Sequence, residues 1–189
     1  LAAAVDQDDM RALMDGSADL LGIGSPNTAP SASTDPSATG QGSGAPSNSA
    51  PGNSSQIEAV IARAESVIGT PYVWGGGDAN GPTQGIRDGG VADSYGDYNK
   101  IGFDCSGLTS RAYSEVGIDM PRTAQGQRDW LAQGNGKRIK PGDERPGDLL
   151  FWNSYLGPER IGHVAMVLDP KKKSTIDARS RAEGVGRFS

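Results

Sequence analysis

The chain contains one cysteine and one histidine, and these two residues are the natural candidates for nucleophilic chemistry. Cys105 is at the start of a predicted helix, where its sulfur faces the positive end of the helix dipole and the thiolate is favoured. His163 begins an apolar stretch that is typical of a strand. Taken alone, each residue fits a buried structural role equally well. Together they indicate a pair in which the imidazole takes the thiol proton and returns it to a leaving amine.

A third polar group usually orients such a histidine, and Asp177 on the next predicted strand is the best candidate. Because side chains alternate along a strand, Asp177 shares the face of His163 only if the connecting turn has an odd number of residues or contains a bulge. With an even turn, Ser174 and Ser180 occupy that face instead. Pro170 favours a turn without fixing its length. The sequence therefore leaves both arrangements open.

Two helices and three strands are predicted around these residues. The first helix has Ser55 as its N-cap and stops at Gly69, and the second starts at Cys105 and stops at Gly117. Three short apolar runs are predicted strands: residues 149–152, 163–168 and 175–178. Helices followed by strands imply an α+β fold with an antiparallel sheet.

Composition divides the chain into three segments. Residues 1–24 form a short acidic segment with apolar residues at roughly helical spacing, interpreted as the end of a preceding domain. Residues 25–54 contain no Val, Ile, Leu or aromatic residue and are rich in Ser, Pro, Gly and Ala, which predicts a disordered linker. Residues 55–189 have the size of one compact catalytic domain. Residues 1–54 hold one arginine and six aspartates, so the segment 55–189 is neutral.

Charge and hydropathy argue against several classes of protein. The net charge is −5, so no nucleic-acid partner is expected. No run of 18 apolar residues occurs, so no membrane insertion is expected. One cysteine and one histidine are too few for a zinc site, and we expect no metal and no cofactor.

The segment 75–102 between the predicted helices is too long to be a bare connection. Its glycines and oxygen-bearing side chains suit calcium, yet their spacing fits no EF-hand. The side chains concerned are Asp78, Asn80, Asp88, Asp93 and Asp97. We therefore interpret the segment as a flap that lines a substrate groove or as a solvated loop.

Five ordered motifs resemble those of the NlpC/p60 cysteine peptidases. They are PYVWGG at residues 71–76, FDCSGL at 103–108, PRTAQ at 121–125, PGDLLF at 146–151 and GHVAMV at 162–167. The resemblance implies a papain-like α+β fold, with a central antiparallel β-sheet packed against helices and the nucleophile at a helix N-terminus. It also implies a bacterial protein that is secreted, extracellular or associated with the cell wall.

The resemblance assigns roles to three residues. Cys105 matches the nucleophile, His163 the general base and Asp177 the polar third position. The family's best-known members cut the bond between D-glutamate and diaminopimelate, or its lysine equivalent, in peptidoglycan stem peptides, so the resemblance implies a monomeric endopeptidase acting on those peptides. Two alternatives remain, an N-acetylmuramoyl-L-alanine amidase and a non-catalytic peptidoglycan-binding module.

Four further residues match positions that surround the family's substrate groove. Tyr72 matches a tyrosine whose hydroxyl lies near the nucleophile. Asp104 and Ser106 match the residues that flank it. Arg122 is a candidate for binding a substrate carboxylate, with a surface ion pair as the alternative.

Overall fold

A six-stranded antiparallel sheet with helices packed against it organises the computed structural model, which describes residues 19–22, 51–154 and 157–189. The helices are α1 (Pro51–Glu65), α2 (Val91–Ser94), α3 (Cys105–Ser114) and α4 (Ala124–Trp130), with a 3₁₀ turn at Asp97–Asn99 and a wider helical turn at Leu131–Asn135. The strands are β1 (Asp19–Gly22), β2 (Thr83–Gln84), β3 (Ile101–Gly102), β4 (Lys137–Arg138), β5 (Leu149–Ser154), β6 (Gly157–Asp169), β7 (Ser174–Ala178) and β8 (Val185–Phe188).

The large sheet has the strand order β4-β1-β5-β6-β7-β8, and β2 and β3 form a separate pair. This arrangement confirms the predicted α+β fold with an antiparallel sheet. The three predicted strands form the centre of the sheet as parts of β5, β6 and β7. Helix α3 begins at Cys105 as predicted, and its C-terminal turn closes at Gly117, whose φ is 77°.

The first helix begins at Pro51, whereas the predicted N-cap was Ser55, so the predicted start is five residues late. Proline suits the first position of a helix, because its fixed φ is helical and its missing N–H would have no partner there. The predicted boundary between linker and domain therefore falls inside α1. The helix ends at Glu65, and tight turns continue the chain to Gly69.

Strand β1 comes from the segment for which helical spacing was predicted. Leu20 pairs with Leu150 of β5, and Leu21 pairs with Arg138 of β4. The helical interpretation is therefore wrong for Asp19–Gly22. A short isolated helix is marginal, whereas the open edge of β5 offers backbone hydrogen bonds. The rest of the acidic segment and residues 25–50 of the predicted linker lie outside the described residues.

The core lies between α1, α3 and the sheet. Helix α1 packs against α3, and α3 packs against β6 and β7. Fully buried side chains from these elements interlock in one cluster: Val60, Ala64, Leu108, Ala112, Tyr113, Leu149, Phe151, Val164, Met166, Ile176 and Val185. The hydroxyl of Tyr113 donates to the carbonyl of Gly147 and ties the end of α3 to the turn before β5. Helix α3 is thus fixed with its N-terminus beside β6 and β7.

The segment 75–102 is a structured insertion that contains β2, α2, the 3₁₀ turn and β3. Its acidic side chains bind backbone groups or basic side chains. Asp78 accepts from the N–H groups of Asn80 and Gly81, and Asp88 accepts from those of Ala92 and Asp93. Within the described ranges, no group of three or more metal-binding side chains occurs. No helix among those residues is long and apolar enough to cross a membrane.

Candidate active site

Cys105 is the first residue of α3, and the chain enters the helix there because Asp104 acts as its N-cap. Asp104 has extended backbone geometry, and its Oδ1 accepts from the N–H of Gly107 at 2.7 Å. Cys105 is 7% exposed. Its own N–H belongs to the first helical turn and has no acceptor within the helix. Thiol and N–H therefore lie together where an acyl oxyanion could be stabilised.

The imidazole of His163 lies between a carboxylate and the thiol. Its Nε2 lies 2.7 Å from Oδ2 of Asp177, and the Cys105 sulfur is near enough for its charge to raise the imidazole pKa. His163 is 5% exposed and Asp177 is 1% exposed. The carboxylate of Asp177 is further held by the Thr175 hydroxyl and by Nε of Arg179, each at 3.4 Å. Thiol, imidazole and carboxylate thus form one continuous buried row.

A bulge in β6 puts Asp177 on the face of His163. The turn between β6 and β7 has four residues, an even number that would turn Asp177 to the opposite face. The register shifts between Val167 and Asp169, so that Val167 pairs with Thr175. Alternation along each strand then places His163 and Asp177 on the same side.

The surroundings of His163 favour its protonated form. Burial alone lowers its pKa, but the negative charge of Cys105 and the hydrogen bond to Asp177 outweigh burial and raise the pKa to about 10. The geometry therefore favours an imidazolium that is paired with the carboxylate of Asp177 and adjoins the Cys105 sulfur. Such a pair can supply a nucleophile and a proton donor together.

Tyr72 lies beside the nucleophile because its strand segment forms a parallel bridge with Phe103, two residues before Cys105. Burial, and then the negative charges of Cys105 and Asp104, raise the pKa of Tyr72 above its ordinary value of 10.0. Its phenol therefore stays protonated at neutral pH. It can donate a hydrogen bond into the site but cannot act as a base.

Asp104, Ser106 and Arg122 form one hydrogen-bonded network around the start of α3. Nη1 of Arg122 donates to Oδ1 of Asp104 at 2.8 Å and to the Ser106 hydroxyl at 3.0 Å, and its Nη2 donates to the Gly76 carbonyl at 2.8 Å. The ion-pair alternative for Arg122 is thus present in the structure. These bonds join the segment 71–76, called the Tyr72 loop, to the start of α3 and to the PRTAQ motif.

Two glycines let the loop that carries Tyr72 approach α3 and β3 closely. A Cβ on Gly107 would lie 2.4 Å from the Gly76 carbonyl oxygen, and one on Gly76 would lie 2.6 Å from that of Gly102. Backbone atoms cannot yield as a flexible side chain can. The close approach holds Tyr72 against the start of α3.

Sequence reasoning missed two residues that support the site. Trp152 on β5 pairs with His163, and their ring centroids are 5.5 Å apart. Gln127 of α4 is fully buried, accepts from the Thr109 hydroxyl at 2.7 Å and donates to the Ser106 carbonyl at 3.0 Å. Only the register between β5 and β6 shows that Trp152 lies against His163. Helix α4 itself was not predicted, although Thr123 is its N-cap and accepts from Gly126.

A thiol at a helix start, facing an imidazole and a carboxylate on adjacent strands of an antiparallel sheet, defines a papain-like α+β domain. The chain belongs to the NlpC/P60 family, which matches residues 69–186. The family suggested by the five motifs is thereby confirmed.

Relatives with known names share this domain. The chain is 38% identical to the peptidoglycan endopeptidase RipB of Mycobacterium tuberculosis over 112 residues, which are 59% of this chain and 39% of RipB. The solved structure of the peptidoglycan hydrolase RipB superposes with a TM-score of 0.58 at 31% identity, covering 77% of this chain and 65% of that one. RipD of the same organism, described as a non-catalytic protein adapted to peptidoglycan binding, has a TM-score of 0.56 at 30% identity, covering 70% of this chain and 86% of that one.

Proposed function

We propose that this protein is a cell-wall hydrolase, a cysteine endopeptidase that cleaves peptidoglycan stem peptides between D-glutamate and diaminopimelate. The observation that carries the proposal is the buried His163 imidazole, which lies 2.7 Å from Asp177 and adjoins Cys105 at the start of α3. The peptidoglycan-directed activities named for RipB support the substrate class. The protein is accordingly proposed to act at the bacterial cell wall.

In the proposed first step, the Cys105 sulfur attacks the scissile carbonyl carbon and forms a carbon–sulfur bond. The carbonyl oxygen becomes an oxyanion near the N–H of Cys105. His163 then gives its proton to the leaving amine as the carbon–nitrogen bond breaks. A water molecule attacks the thioester, His163 takes its proton, and the acid product leaves as Cys105 is regenerated.

Asp177 has the role of orienting the imidazole and balancing its charge. The bond to Nε2 leaves the other ring nitrogen, Nδ1, for the Cys105 proton. Tyr72, Asp104, Ser106 and Arg122 are proposed to line the substrate groove. For the last three residues, an equally direct role is to hold the helix start and the Tyr72 loop together.

A non-catalytic peptidoglycan-binding module is the second candidate, because RipD carries the same fold and is described as non-catalytic. The buried row of thiol, imidazole and carboxylate favours catalysis here. A module that only binds has no need for an imidazolium buried between two anions, which is costly unless each charge is paired.

The full chain is incubated with a muramyl tripeptide that contains D-glutamate and diaminopimelate, and the products are read by mass. We expect release of a fragment that begins at diaminopimelate, and no release by Cys105→Ala. Circular dichroism and thermal unfolding establish that the variant is folded.

Three other outcomes separate the alternatives. Full activity of Cys105→Ala would eliminate the thiol mechanism. Release of an intact stem peptide that begins at L-alanine would identify an amidase. Binding to cell-wall pellets without any soluble fragment, by the wild type and the variant alike, would favour the binding module.

A further inference from the structure

Arg181, in the turn between β7 and β8, is held by a carboxylate that the proposed catalysis does not use. Its Nε lies 3.1 and 3.2 Å from the two oxygens of Asp97, and its Nη2 lies 2.7 Å from Oδ2. Asp97 is 0% exposed and also accepts from the Trp74 N–H at 3.1 Å. The guanidinium therefore has a fixed position between the insertion and the sheet.

Two aromatic rings place this guanidinium at the rim of the candidate active site. Its central carbon lies 4.5 Å from the ring centroid of Tyr95 and 5.4 Å from that of Tyr72. Tyr72 is also held beside the start of α3, because it forms a parallel bridge with Phe103, two residues before Cys105. Tyr95 is 55% exposed. Arg181 thus stands one side chain away from the nucleophile, on the side where the insertion meets solvent.

Part of the Arg181 guanidinium remains available to a ligand. Within the described parts of the chain, Nη1 of Arg181 has no hydrogen-bond acceptor. It is also not fully buried, so this nitrogen can reach a ligand from solvent. The side chain is 18% exposed. Lys100 also lies 4.0 Å from Asp97, so two cations flank a single buried carboxylate. The cluster therefore has a surplus positive charge and a donor that reaches solvent.

We propose that Arg181 is a specificity-determining residue that binds a free substrate carboxylate close to the scissile bond through Nη1. The inference rests on the proposed function and extends it. A D-glutamyl residue linked through its side chain keeps its α-carboxylate free, next to the bond that is cut. A guanidinium already fixed by Asp97 and two rings loses little freedom on binding that anion.

The test uses two synthetic stem peptides that differ only at the D-glutamyl α-position, one with a carboxylate and one with a carboxamide. Removing Arg181 alone would leave the buried Asp97 carboxylate with only the more distant Lys100 and the Trp74 N–H, which endangers the fold. The main variant is therefore the double substitution Asp97→Asn with Arg181→Gln. Arg181→Lys retains the charge. Arg187→Gln is the matched control, because Arg187 pairs with Glu65 in an exposed ion pair.

The wild type should cleave the carboxylate peptide with a kcat/KM about tenfold or more above that for the carboxamide, mainly through KM. In the double variant this ratio should fall to about one, because the carboxylate peptide loses its advantage. Arg181→Lys should keep part of the ratio, and Arg187→Gln should keep all of it. Thermal unfolding of each variant establishes that folded proteins are compared.

Three results would overturn the inference. The wild type could cleave both peptides equally, the double variant could retain the full ratio, or Arg187→Gln could lower the ratio as much as the double variant does. Each of these leaves the proposed function standing, because cleavage itself is observed. If the wild type cleaves neither peptide, the proposed function fails and takes the inference with it.

Discussion

The single histidine makes the charge state of the candidate site directly measurable, because every imidazole resonance of a tag-free protein comes from His163. Its pKa is raised from the ordinary value of 6.5 to about 10, against the opposing effect of burial. At about 1.4 kcal/mol for each pKa unit, the rise corresponds to about 5 kcal/mol in favour of the imidazolium. The charges and hydrogen bonds of Cys105 and Asp177 must supply more than this, because burial acts in the other direction.

We predict that Cys105→Ala and Asp177→Asn each lower the pKa of His163 by about one unit or more. The double variant should lower it further, to below 6.5, because burial is then the main remaining influence. The titration is followed by NMR of the imidazole ring between about pH 5 and pH 11, a range chosen to span the histidine values expected. Asp169→Asn is the matched control. Asp169 ends β6, the strand that also carries His163, but its carboxylate pairs with the exposed Lys172 instead of the imidazole.

A wild-type value near 6.5 would refute the charge arrangement proposed for the site. An unchanged value in Asp177→Asn would show that the contact at 2.7 Å contributes no charge stabilisation. An equal shift in Asp169→Asn would assign the effect to overall charge rather than to the buried row. The expected order of effects is therefore specific to the geometry.

Three substitutions test the elements that hold the site. Trp152→Leu removes the ring packed on His163 and should lower kcat about tenfold and the free energy of unfolding by about 2 kcal/mol, measured by steady-state kinetics and urea unfolding. Asp104→Ala removes the N-cap bond to Gly107 and should cost about 2 kcal/mol in urea unfolding, with little added by the half-exposed ion pair. Gln127→Ala leaves buried groups unpaired and should cost about 3 kcal/mol, whereas the exposed Gln133→Ala should change stability by less than about 0.5 kcal/mol.

The sequence could predict the candidate nucleophile and base because the chain offers one residue of each type. It could not decide the third member, because strand alternation depends on a turn and a bulge. Four residues separate β6 from β7, and that even turn alone would have favoured Ser174 or Ser180. The bulge between Val167 and Asp169 reverses the outcome. One inserted residue in a strand is set by tertiary packing and has no reliable local signal.

Residues whose role depends on contacts with distant parts of the chain could not be predicted from the sequence, because tertiary packing sets those contacts as well. Trp152 is a large apolar residue of the kind expected in any core. Only the register between β5 and β6 places it against His163. Arg181 and Asp97 are 84 positions apart in the chain, and their bond depends on how the insertion folds back. The residues of β1 were predicted to be helical because their leucines also fit helical spacing. They form a strand because they pair with the open edge of β5.

Ion pairs flank Cys105 on both sides, and these pairs explain why the separate motifs must be read together. On one side, the imidazole of His163 pairs with Asp177, which also pairs with Arg179. On the other, Asp104 precedes Cys105 in the chain, and Arg122 at 2.8 Å offsets its carboxylate. Without that cation, the Asp104 carboxylate would repel a thiolate on the next residue. Arg122 therefore offsets the negative charge next to the candidate nucleophile from within the scaffold, which is a sufficient reason for its place in the motif even before any substrate carboxylate is considered.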